Sequence, residues 1–90
     1  MAKQQQQTFI IRLEDKDGKM VDFERWAYKK VETCIKNMVK TYSDHAYLYE
    51  PTLAKADKVV AYATPGGRSD EKIPVWSVSV EEFRKLMKEA

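Results

Sequence analysis

Two alternating apolar stretches, each followed by a segment of helical periodicity, predict a small α+β domain: an antiparallel sheet of about four strands with two helices on one face, in the order β-β-α-β-β-α. Three observations carry that prediction. Phe9, Ile11 and Leu13 alternate with Ile10, Arg12 and Glu14; Asp22 to Tyr42 keeps a helical period without Gly or Pro; and Ser79-Val80-Glu81-Glu82 has the form of a capping box.

The elements follow in chain order. Residues 1–7, with four consecutive glutamines, lack apolar periodicity and read as a disordered lead-in to a single domain over residues 8–90. From Thr8 the alternation gives a strand with one fully apolar face and one mixed face. Asp15-Lys16-Asp17-Gly18 is a turn in which Gly18 supplies positive φ, and Lys19 to Val21 returns as a short antiparallel strand.

Asp22 then has the character of an N-cap, because its carboxylate can accept from the free amides of a first helical turn. At about 100° per residue, Phe23, Cys34, Ala27, Met38, Val31, Ile35, Tyr28 and Val39 fall on one buried arc. Arg25, Lys29, Lys36 and Lys40 gather on the outer arc, diluted by Glu32. Trp26 projects to the polar side between Thr33 and Asn37. It is expected either to anchor an interface or to be covered by the chain's own hairpin and loops.

After Tyr42 the periodicity is lost, and Pro51 disfavours helix at Glu50, so SDHAYLYEPTLAKA reads as a loop packed down by Tyr47, Tyr49, Leu48 and Leu53. Lys58 to Thr64 is a strand ended by Pro65-Gly66-Gly67, and GGRSDEK is a polar connection. Ile73 to Val78 is the last strand, with Pro74 arguing for an edge position. The final helix starts at Val80 and presents Val80, Phe83, Leu86 and Met87 as its apolar stripe.

Composition narrows function by exclusion. Ninety residues form one core with little room for a deep pocket, and 16 basic against 14 acidic residues give a net charge of +2, so any nucleic-acid signal must be local. A single cysteine excludes an internal disulfide, and Cys34 on the apolar arc is expected to be a buried hydrophobe in a reducing, cytoplasmic setting. No membrane span or secretion signal is read from the chain.

The catalytic and metal patterns are weak. Asp15-x-Asp17-Gly18 with Glu24 matches part of a calcium loop but has Leu13 where the first carboxylate belongs. Ser43-Asp44-His45 juxtaposes triad residue types, yet consecutive side chains point apart. Gly66-Gly67 lacks the following helix that a phosphate loop needs, and one Cys with one His falls short of the usual four zinc ligands, so a metal would need carboxylates or another chain.

The expectation is therefore a non-catalytic, cofactor-free and metal-free binding module, an accessory or inhibitor protein. It would dock on another protein through the exposed face of helix 23–42, with Trp26, Arg25, Lys29, Lys36 and Lys40 as the contact residues. The alternative is nucleic-acid binding, with the same basic residues on phosphates and Trp26 stacked on a base.

Overall fold

The computed structural model describes residues 7–64 and 72–90. Its elements are β1 (Gln7–Glu14), β2 (Met20–Tyr28), α1 (Val31–Asp44), α2 (Ala46–Leu53), β3 (Lys58–Thr64), β4 (Ile73–Ser79) and α3 (Val80–Glu89). The strands form one sheet in the order β2-β1-β3-β4, antiparallel throughout. The class is α+β, as the sequence predicts, with three helices among the described residues rather than two. The lead-in over residues 1–6 and the Gly66-Gly67 connection lie outside the described residues.

The first hairpin differs most from expectation. The turn forms as read: Gly18 has φ 82°, and Asp15 Oδ1 accepts from the backbone N–H groups of Asp17 and Lys19, each at 2.9 Å. The returning strand does not stop at Val21 but runs on to Tyr28, pairing with β1 from Leu13↔Asp22 to Gln7↔Tyr28. Residues 22–28 are therefore strand, not the start of the helix, and Asp22 accepts from the adjacent Phe23 N–H instead of capping.

The physical reason is non-local. Val21, Phe23, Trp26 and Tyr28 are strand formers, and their pairing gives the outer backbone groups of β1 a partner that a helix would deny them. The predicted helical arc survives only in α1, where Cys34, Met38, Val39 and Tyr42 are buried. This helix begins at Val31, and Lys30 at its N-cap position supplies no side-chain hydrogen bond.

The segment expected as a loop is α2, set off from α1 by His45 at φ −121°, ψ 39°. Pro51 lies inside it near the carboxyl end, where its missing N–H forfeits one intrahelical bond. Packing offsets that loss: Leu53 is buried, Tyr49 stacks on Tyr42 with centroids 3.8 Å apart, and Glu50 meets Arg84 of α3 at 2.7 Å. At the start of α3, Ser79 Oγ accepts from Glu82 N–H at 3.1 Å, which is the backbone half of the predicted capping box.

Alternation along the central strands assigns the two faces of the sheet. Phe9, Ile11 and Leu13 of β1 stand opposite Ala63, Ala61 and Val59 of β3, and they join Met38, Tyr42, Leu53 and Phe83 in one core. Ile10, Arg12 and Glu14 face the other way, opposite Tyr62, Val60 and Lys58. All the core-forming helix residues belong to the first face, so among the described residues no helix covers the second.

Candidate docking surface

The five residues expected to form one patch are placed in three separate settings. Arg25 and Trp26 are consecutive on β2 and so occupy opposite faces of the sheet. Trp26 pairs with Phe9, is half-buried against the core and stacks on Tyr28 with centroids 6.1 Å apart, so its own chain covers much of it. Lys29 is exposed in the connection to α1, while Lys36 and Lys40 are exposed on α1 itself. The patch read on a single helix does not assemble, because residues 23–28 of that helix are strand.

What does assemble lies on the bare face of the sheet. Arg12 extends over the ring of Tyr62, with its guanidinium carbon 5.9 Å from the centroid, and the Tyr62 hydroxyl donates to Glu14 Oε2 at 2.9 Å. Arg12 Nε lies 3.0 Å from the same Glu14 oxygen, but makes no aligned hydrogen bond, so the contact is ionic. Another nitrogen of the same guanidinium, Nη2, donates to the Gly18 carbonyl at 3.4 Å. Burial, the bond to Glu14 and the charge of Glu14 hold the Tyr62 hydroxyl above its ordinary pKa, so it remains a donor.

Towards β2 the face becomes apolar and open. Arg25 sits over Phe23 at 5.9 Å, and Met20 and Phe23 are 50% and 42% exposed; Tyr47, Leu48, Ile73 and Val75 are exposed elsewhere on the molecule. Ile10, Arg12, Met20, Phe23, Arg25 and Lys72 line a shallow depression of about 210 Å³. The sequence reading saw Phe23 as a core residue, and it did not single out Met20, Arg12 or Tyr62. Extending the alternation from Val21 through Tyr28 is the signal that would have put Phe23 and Arg25 beside Arg12.

Elsewhere the reactive groups are committed to structure. Cys34 is fully buried and its thiol is pushed up to about 11 by desolvation, which withholds the thiolate a nucleophile needs. Ser43 Oγ donates to the Met87 carbonyl at 3.1 Å, and the His45 ring lies against Tyr47, so neighbouring residues of the sequence triad are engaged apart. Under α1 and α2, the hydroxyls of Tyr42 and Tyr49 both donate to Glu24, at 3.4 and 3.3 Å. Burial first, and the Glu24 charge second, raise both tyrosine pKa values, so these groups stay protonated and serve as struts between helices and sheet.

A second concavity, about 490 Å³, runs between α1 and α3 over Ile35, Val39 and Leu86, rimmed by Glu32, Lys36 and Glu89. Its floor is the outer margin of the core, and its rim mixes both signs of charge. No described helix is long and apolar enough to cross a membrane. No protein-family model matches the chain, and no curated protein or solved structure matches it either.

Proposed function

We propose that the protein is a non-catalytic binding module that docks on another protein through the bare face of its sheet, with Phe23 and Met20 as the apolar anchor and Arg25, Arg12 and Lys72 around it. The observation that carries this reading is the pair of half-exposed apolar side chains next to one another on β2, ringed by cations. Phe, Met and Arg are the residue types that interfaces concentrate, and a buried aromatic anchor can supply roughly 2 kcal/mol or more of binding. The cationic surround favours a partner whose docking segment combines an apolar side chain with carboxylates.

Nucleic acid is the second reading, supported by the excess of Arg12, Arg25, Lys58 and Lys72 over Glu14 on this face. It is the weaker one for a steric and an electrostatic reason. The chain's own guanidinium groups already lie over Phe23 and Tyr62, where bases would stack, and the buried Glu14 carboxylate repels phosphate at one end of the face.

A photo-crosslinking amino acid at position 23, compared with one at exposed Lys85 of α3, tests the docking surface in cells. The expected result is a defined protein adduct at position 23 only, with affinity for that protein lost in Phe23→Ala. Tight binding of single-stranded oligonucleotides, falling steeply with salt, would move the assignment to the second reading.

A further inference from the structure

The geometry points to a symmetric dimer formed by antiparallel pairing of β2 with β2 of a second copy, centred on Trp26, which joins two sheets edge to edge. Among the described residues, no strand pairs with the outer side of β2. Its backbone donors and acceptors there form a template for another strand. The two edges of the sheet are not equivalent. β4 is interrupted by Pro74 and by a register shift opposite Ala61 and Tyr62, devices that discourage pairing, whereas β2 contains neither Pro nor Lys from Met20 to Tyr28.

The charge pattern of β2 restricts the register in which two copies can pair. In a two-fold antiparallel pair, residues directly opposite share a face, and like charges there are unfavourable. Centring the axis on Asp22, Glu24 or Arg25 opposes each with its own copy, and centring on Phe23 sets Asp22 against the partner's Glu24. Centring on Trp26 opposes no like charges. It places Arg25 opposite the partner's Ala27 and Glu24 opposite the partner's Tyr28, with the two Trp26 side chains meeting on the axis.

The strand ends at Tyr28 and the chain bends at Lys29, so the self-paired ladder spans Glu24 to Tyr28. Over that span β2 meets its own reverse without a like-charge pair, so it accepts a second copy of itself. The half-buried Trp26 then completes its burial across the axis.

Sedimentation velocity across a concentration series, on the full chain, tests this. The expected result is a reversible dimer. Ala27→Arg, which places a second cation opposite the partner's Arg25, should weaken dimerisation by about tenfold, since symmetry counts the like-charge pair twice, and Ala27→Glu should strengthen it. Position 27 is exposed, and circular dichroism checks that each variant keeps its fold. A wild-type chain that stays monomeric up to about 1 mM overturns the inference. So does a dimer indifferent to both substitutions at position 27, which would place the contact elsewhere, such as the groove between α1 and α3.

Discussion

The two faces of the sheet come from the same strands but are stabilised by different physics. On the covered face, Phe9, Ile11 and Leu13 are held by area: they vanish into a core closed by Met38, Tyr42, Leu53 and Phe83, where packing is dense and shape matters. On the bare face, the alternating residues Ile10, Arg12 and Glu14 are held by a small ionic and aromatic network with Tyr62, and the surface opens to solvent at Met20 and Phe23. One face specifies the fold and the other remains available for contact. The difference teaches that burial alone does not mark function here, because Glu14 is as buried as several core residues and yet belongs to the open side.

Breaking the covered face should have the largest effect. Phe83→Ala removes a fully buried ring that packs edge-on against Tyr42 at 5.2 Å, and should cost about 3–5 kcal/mol in urea unfolding. A cost below about 1 kcal/mol would mean the helices are not docked as described. The bare face should respond less. Glu14→Ala strands the Tyr62 hydroxyl and leaves Arg12 without its carboxylate, for a loss of about 1–3 kcal/mol, and an unchanged midpoint would show the network to be ornamental.

At the open margin, stability and function should separate. Phe23→Ala should change stability by no more than about 1 kcal/mol while abolishing docking, and a destabilisation like that of Phe83→Ala would return Phe23 to the core.

Alkaline pH gives the finest test of the covered side. Cys34 and Tyr42 have folded-state pKa values above their ordinary 9.0 and 10.0, so below those values both folded and unfolded chains keep the protons and stability is full. Above them the unfolded chain releases protons that the folded chain retains. Stability therefore falls as pH rises from about 9 towards the folded values. Unfolding midpoints at pH 7, 9 and 11 should show a shallower decline in Tyr42→Phe than in the wild type; parallel declines would assign the loss to other groups.

Much of the fold was legible because its signals are local. The alternation of β1, the Asp15–Gly18 turn, the strand over Lys58–Thr64 and the Ser79 cap each depend on residues close in sequence, and each stands where it was read. The candidate site was much less legible. Asp22 to Tyr28 satisfies a helical period and a strand alternation together, and only the unpaired edge of β1 decides between them. The segment around Pro51 carries a helix-breaking signal that the stacking of Tyr49 on Tyr42 overrides.

By itself, then, the sequence determined the α+β class, an apolar face to the sheet, a buried Cys34 and a capped final helix, all consequences of side-chain periodicity and local backbone chemistry. Tertiary structure alone decided that residues 22–28 pair as an edge strand. That pairing splits Arg25 from Trp26 across the sheet, turns Trp26 towards the core and brings Phe23 to the surface. The reason is that a strand reverses its side chains at every residue, so long-range hydrogen bonding, once it chooses strand over helix, reassigns the surroundings of every residue in the segment.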